Sequence, residues 1–389
     1  MAKQKKLLIF ILTIGVFGIL NTEMGIIGIL PEIANHFNVS VSAAGWLVSI
    51  FAIGVAISGP TMPLLFSRFD RKKVMVFVLS VFVAANIISI FTTSFSILLI
   101  ARIIPALCHP IYCSLAFSVA ADSVSKEEAP KAVAKVFIGV SAGMVVGVPI
   151  VSFIAGVFNL QMAMAFFAII NIAVLLATFL FVPSMPVKEK ISYGTQLHVL
   201  KHSNTWIAII IVILLNAAIF GVYSYLAEFL QTVTNASSNI TSLILFIYGA
   251  ANIIGNILAG RLLVEKPVKT IAALPFLMGA VYILLFFAGK FTIPMALVTL
   301  FWGILAGLAA NINQYVVTTA AKEAPDFANG LFLSSCNIGT TIGATAGGLF
   351  ISEMGTQYVV LVGIFSLILT MVFIFLRNYQ FRAAELVSR

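Results

Sequence analysis

Residues 7–30 read LLIFILTIGVFGILNTEMGIIGIL, an apolar run interrupted by one formal charge, Glu23. About 20 such residues cross the hydrocarbon of a bilayer as a helix, which satisfies its own backbone there. Lys3, Lys5 and Lys6 precede the run as they would in a signal peptide, but it is too long and lacks a small-residue cleavage site. It is expected to stay as an uncleaved first span. The rest of the chain repeats the pattern. Of 389 residues, 61% are hydrophobic and 9% charged, against about 25% charged in soluble domains. A water-soluble fold of this size cannot bury that much apolar surface, which excludes a soluble enzyme, a nucleic-acid binder and a disordered scaffold. Cys108, Cys113 and Cys336 lie inside apolar runs, so neither a disulfide framework nor a metal site is expected.

The same window finds twelve candidate spans: 7–30, 43–66, 74–93, 95–120, 132–157, 162–183, 205–230, 240–263, 271–289, 294–320, 329–351 and 358–376. With the N-terminus in the cytoplasm, the inner segments hold 20 of the 22 Lys and Arg. The outer loops hold only Lys290, and Arg102 lies within a span. That asymmetry predicts a multi-pass cell-membrane protein with both termini cytoplasmic. The net charge of +9 is then a topological signal rather than a nucleic-acid footprint. The longest connection falls between spans six and seven. The expected organisation is a six-helix half at 1–183, a cytoplasmic linker at 184–204 and a second six-helix half at 205–389.

The halves resemble each other. Lys126-Glu127-Glu128-Ala129-Pro130 recurs as Lys322-Glu323-Ala324-Pro325, and Gly143 and Gly147 recur as Gly339 and Gly343. Glu32, Phe51 and Gly54 find counterparts in Glu228, Phe246 and Gly249. Several matches at offsets of 195 or 196 residues argue for duplication. Six spans per copy give both copies the same orientation, hence parallel repeats about an axis along the membrane normal, with a site expected near midplane.

On these features, and on Thr22-Glu23-Met24, Gly28-Ile29-Leu30-Pro31-Glu32-Ile33-Ala34 and Ala44-Gly45-Trp46-Leu47-Val48-Ser49, the chain resembles the major facilitator superfamily over its whole length. More narrowly it resembles the drug:proton antiporter-1 group, on the branch of arabinose-type sugar, nucleoside and drug efflux permeases. Arg102 with His109, Gly147-Val148-Pro149, Tyr225-Leu226-Ala227-Glu228-Phe229-Leu230 and Glu323-Ala324-Pro325 carry that narrower likeness. The resemblance implies an all-α membrane fold of twelve transmembrane helices, with spans one and four as neighbours.

A charge near the bilayer centre costs about 2.5–3.5 kcal/mol on insertion scales, so one that persists faces a cavity or a partner. Glu23 and Arg102 are the two formal charges well inside spans, both about 7–9 Å outward of the centre by helical rise. Glu23 is expected to carry a coupling proton. Burial favours its neutral acid and the Arg102 guanidinium its carboxylate, so occupancy swings with water access. The alternative is a fixed structural ion pair. His109 lies two turns beyond Arg102 on the same face, with Tyr112 three residues on, and joins the proton-coupling candidates. Pro105 and Pro110 would bend that helix. Substrate-binding candidates are the polar stripes Asn21 and Thr22, Tyr112, Asn216 and Tyr223, Asn252 and Asn256 (with Tyr248), and Asn311 and Gln314. Interhelical hydrogen bonding is the competing reading for each.

Gly143, Gly147 and Pro149 are gating candidates: the glycines allow close packing, and Gly143-x-x-x-Gly147-Val148-Pro149 is similar to the superfamily's span-five antiporter signature, with Val148 displacing the usual adjacent Gly-Pro. In the loop Ser67-Arg68-Phe69-Asp70-Arg71-Lys72-Lys73 the basic residues match the superfamily pattern, with Arg68 and Arg71 as further gating candidates, but Ser67 replaces the usual acid. Asp122 or Glu265 is expected to substitute. No Gly-x-x-x-x-Gly-Lys-Ser/Thr loop is present, so ATP is not the expected energy source. No catalytic or metal-ligating set can be assembled from four His and 13 acids.

The leading expectation is a non-enzymatic, proton-coupled exporter of small organic molecules (drug, sugar or nucleoside), working by alternating access. It would be a monomer in the lipid bilayer with no cofactor beyond the proton. An uptake facilitator or proton symporter for sugar or nucleoside is the first alternative, and a non-transporting membrane sensor the second.

Overall fold

The computed structural model describes residues 2–125, 128–186, 196–321 and 325–387, and among them every regular element is helical. The chain forms two compact units, Met1–Val39 with Trp46–Ile191, and Ser40–Gly45 with Ser192–Arg389. Eleven helices among the described residues are long and apolar enough to cross a membrane. A twelfth long helix, Pro325–Met354, falls where the sequence places span eleven. Of the repeated acidic motif, residues 126–127 and 322–324 lie outside the described residues, as do residues 187–195 of the expected linker.

The first unit begins with α1 (Ala2–Met24), a 3-10 turn over Gly25–Ile29 and α2 (Leu30–Phe37). The sequence reads one uninterrupted span to residue 30; the structure breaks it just after Glu23. Pro31 supplies no N–H for helix bonding, and Gly25 and Gly28 are poor helix formers. Asn38 ends α2 in the left-handed conformation (φ 52°), its N–H reaching the Ala34 and Asn35 carbonyls, a common way to close a helix. There follow α3 (Val41–Ser58, of which the part from Trp46 belongs to this unit), α4 (Met62–Phe66), α5 (Arg71–Phe91) and α6 (Phe95–Asp122). The fifth crossing is split into α7 (Ala129–Ala142), a π-turn over Gly143–Gly147 and α8 (Val148–Val157), where a continuous helix was expected. The last element is α9 (Leu160–Phe181). Leu12, Val16, Phe51, Phe82, Tyr112 and Val136 join α1, α3, α5, α6 and α7 in one core.

The second unit repeats the broken opening helix, as α10 (Ser203–Tyr223) and α11 (Leu226–Thr232), and again closes with a left-handed asparagine, Asn235 (φ 54°). It continues through α12 (Ser238–Glu265), α13 (Pro267–Ala288), α14 (Thr292–Ala320), α15 (Pro325–Met354) and α16 (Val360–Val387). Glycines let α12 and α14 touch backbone to backbone: a methyl at Gly303 would strike the Tyr248 carbonyl, and one at Gly307 the Asn252 carbonyl. Large apolar side chains such as Ile57, Phe153, Phe179, Phe287 and Phe301 point outward. Such a surface needs acyl chains rather than water as its solvent.

Candidate functional site

The break after α1 is where the first unit concentrates its buried charge. Glu23 sits in the last turn of α1, and its Oε2 lies 3.0 Å from His109 Nε2 of α6, both side chains about nine-tenths buried. The two groups are within ion-pair distance, although no hydrogen bond is aligned on Oε2. Cys113, one turn beyond on α6, brings its Sγ to 3.7 Å from the same Nε2.

Arg102 takes a different place from the one the sequence suggests. Its guanidinium does not meet the Glu23 carboxylate; it donates to the main-chain carbonyls of Thr22 (2.6 Å) and Glu23 (2.9 Å). Where an α-helix gives way to a 3-10 turn its final carbonyls lose their i+4 donors, and a forked cation satisfies two at once while facing the negative end of the helix dipole. Arg102 therefore caps the break and fixes the backbone from which Glu23 projects. Phe51 of α3 covers both partners: the Arg102 guanidinium lies 4.4 Å from its ring centre and the His109 ring 6.0 Å away, edge-on.

Thr22 is a hub rather than an open ligand. It is buried; its hydroxyl donates to the Gly18 carbonyl and accepts from Asn86 of α5 and Asn171 of α9. Asn86 and Asn171 were not among the sequence candidates, although each is a lone carboxamide in an apolar span, which is the signal that would have found them. Tyr112 is fully buried, its hydroxyl pressed against Gly15 of α1. Asn21 is fully buried against Gly147.

In the second unit, Asn216 is also buried, donating to the Val212 carbonyl and to Cys336 Sγ. Tyr223 stacks on Tyr248 with ring centres 4.5 Å apart, and Trp302 stands edge-on to both. One turn beyond Tyr248 a chain of carboxamides begins: Asn256 donates to Asn252 (3.0 Å) and Asn311 to Asn256 (2.6 Å), all three half-buried. Gln314 is exposed one turn past Asn311. The three rings are buried on one another, which leaves the neutral amides as the groups open to an uncharged or weakly polar ligand.

At the loop after α4, Arg71 pairs with Asp122 (2.6 Å), one of the two acids named as stand-ins for the acid absent at Ser67. Arg68 is exposed. Asp70 caps α5 by accepting from the Lys73 N–H, and Ser184 donates to its other oxygen at 2.7 Å. Slight burial pushes the Asp70 carboxyl up, but the bonds from Ser184 and from the Lys73, Met185 and Lys72 backbones outweigh it and hold the group below its ordinary value. Pro149 is buried in the first turn of α8.

The sequence profile of the Major Facilitator Superfamily matches residues 12–332 and 228–386. The inner membrane transport protein YdhP of Escherichia coli (strain K12) is 29% identical over 353 residues, covering 90% of this chain and 91% of that protein. The uncharacterized MFS-type transporter YtbD of Bacillus subtilis (strain 168) is 31% identical, covering 90% of each chain. A probable sugar efflux transporter of Pasteurella multocida (strain Pm70) is 27% identical, covering 88% and 85%. Among solved structures, the nucleoside transporter NupG aligns with a TM-score of 0.77 at 16% identity, covering 97% of this chain and 100% of that one. A bacterial homologue of the lysosomal transporter Spinster gives 0.75 at 15%, covering 98% of each. Two helical units with broken opening helices, and a profile spanning nearly the whole length, make this chain a multi-pass membrane transporter of the Major Facilitator Superfamily.

Proposed function

We propose that the protein is a proton-coupled exporter of small organic molecules, with the coupling proton held between Glu23 and His109. One observation carries this reading: a carboxylate and an imidazole 3.0 Å apart, buried in a membrane-spanning unit. A fixed salt bridge would be better served by Arg or Lys, whose charge does not switch. An imidazole can give up its proton within the physiological range, and burial makes each protonation state of the pair sensitive to the arrival of water or substrate. The Arg102 cap keeps the carboxylate turned toward the imidazole.

The substrate would meet the neutral amides of the second unit, Asn252, Asn256, Asn311 and Gln314, which the buried Tyr223, Tyr248 and Trp302 rings support. Sugars, nucleosides and many drug molecules carry hydrogen-bonding groups that these amides can receive, and a related protein carries the name probable sugar efflux transporter. Export is favoured over uptake on that relative. One proton moving inward contributes about 2.3 kcal/mol per 100 mV of potential, enough to sustain a tenfold export gradient. Both termini would be cytoplasmic, with the basic loops on that side.

The test is transport in proteoliposomes against a panel of D-arabinose, uridine and ethidium under an imposed proton gradient. The wild type is expected to move at least one of them in exchange for protons, and Glu23→Gln to lose gradient-driven flux by tenfold or more. Flux indifferent to the gradient, with Glu23→Gln transporting normally, overturns the coupling.

A further inference from the structure

The duplication supplies an internal control for the fifth crossing. Gly143 and Gly147 correspond to Gly339 and Gly343 at an offset of 196, Val140 to Cys336 at the same offset, and Asn21 and Phe17 to Asn216 and Val212 at 195. The two copies are built differently. In the second unit α15 runs as unbroken α-helix through Gly339 and Gly343. The facing Asn216 amide is bonded to the Val212 carbonyl, one turn back, and to Cys336 Sγ. In the first unit the same positions form the π-turn Gly143–Gly147. There the Asn21 side chain is fully buried, and neither its Nδ2 nor its Oδ1 has a hydrogen-bond partner. The amide is aimed at the turn: a methyl at Gly147 would collide with Asn21 Oδ1, and one at Gly143 would stand 2.7 Å from Leu20 Cβ.

A buried amide with both ends unmatched carries its whole desolvation cost with no return. A π-turn is likewise less favourable than continuous α-helix, and such turns gather where helices work. Close packing alone requires neither feature, because the second unit packs its glycines with a satisfied amide and an unbroken helix. At the position that corresponds to Cys336, whose sulfur meets Asn216, the first unit has Val140, which carries no polar side-chain atom.

We propose that Asn21 is a positioning residue for the fifth crossing and that it and the Gly143–Gly147 turn form one two-state device. In the state described here the helix is π and the amide unpaired. In the other the helix is continuous and Asn21 donates to the Phe17 carbonyl, as Asn216 donates to Val212. Conversion moves α8 by about one residue of register, roughly 1.5 Å along its axis, and supplies a movement for the transport cycle. This inference rests on family membership and not on proton coupling, so the two fail separately.

Hydrogen–deuterium exchange of the full chain in lipid nanodiscs tests it, comparing peptides over 139–150 and 335–346. The wild type is expected to exchange at least tenfold faster at 139–150. Val140→Cys, which gives Asn21 the partner that Cys336 gives Asn216, should close most of that gap and leave 335–346 unchanged. Asn21→Leu, which removes the amide's gain from the α form, should keep 139–150 fast, and Asn21→Ser, whose hydroxyl also reaches the carbonyl one turn back, should slow it. Equal exchange in the two wild-type segments overturns the proposal. So does fast exchange in Val140→Cys equal to that of the wild type, which would leave the π-turn a fixed feature of packing.

Discussion

Glu23 and His109 stabilise each other only as a pair, which sets what single substitutions do. A charge left alone in a buried site costs about 3–5 kcal/mol. His109→Ala should therefore lower the thermal midpoint of the purified protein more than the double change Glu23→Gln with His109→Gln, which leaves two neutral groups able to bond. If His109→Ala melts with the wild type, the 3.0 Å contact carries no stability. Arg102 makes a second residue-scale prediction. It spans two carbonyls with one planar fork, a geometry that a lysine ammonium cannot reproduce. Arg102→Lys should keep the charge yet lose about 1.5–3 kcal/mol, the worth of a charged hydrogen bond, read as a fall in chemical-denaturation midpoint. A purely electrostatic role for Arg102 would leave Arg102→Lys unaffected.

At the scale of elements, helix ends and helix contacts decide. Asp70 is the N-cap of α5 and also holds Ser184, near the end of the first unit. Asp70→Ala should cost about 1 kcal/mol, as cap removal generally does, while Asp70→Asn keeps the capping oxygen and should cost less. Because its carboxyl is held below the ordinary value, Asp70 stabilises the fold above the pH at which it ionises in the unfolded chain. That contribution fades as pH falls through the lower folded value, so the gap between wild type and Asp70→Ala should shrink in acid. Between α12 and α14 the requirement is the absence of a side chain. Gly307→Leu would drive the α14 side chain into the Asn252 backbone and should abolish monodisperse protein in detergent. Gly260→Leu, with open space at its Cβ position, should behave as wild type in the same chromatography.

For the whole molecule, the distribution of charge is the measurable quantity. With both termini cytoplasmic, as the distribution of basic residues along the sequence leads one to expect, a green fluorescent protein fused at either terminus should fluoresce and alkaline phosphatase inserted beside Lys290 should be active. Phosphatase activity from a C-terminal fusion would reverse the assignment. The two units also share an unequal division of polar groups. The first holds the titratable pair and its cap, Glu23, His109 and Arg102, while the second offers rings and amides, Tyr248, Asn252, Asn256 and Asn311. The two units share a broken opening helix and differ in the chemistry they carry.

The twelve spans, the membrane as solvent and the 195-residue repeat were legible in the chain, because hydropathy over 20 residues and identity at a fixed offset need no knowledge of neighbours. That spans one and four bring Arg102 to the turn that carries Glu23 agrees with the reading from helical rise. Which atoms the two residues offer each other was not legible. The break after Glu23 exposes two carbonyls that claim the Arg102 guanidinium, and His109 is left to meet the carboxylate; both depend on how α1, α3 and α6 pack. The π-turn opposite Asn21 was hidden more completely, since Gly143 and Gly147 have the same spacing as Gly339 and Gly343 and only the fold shows one pair in a π-turn and the other in a straight helix. Local composition sets which segments enter the membrane; hydrogen-bond competition between packed helices, which no single segment contains, sets what they do there.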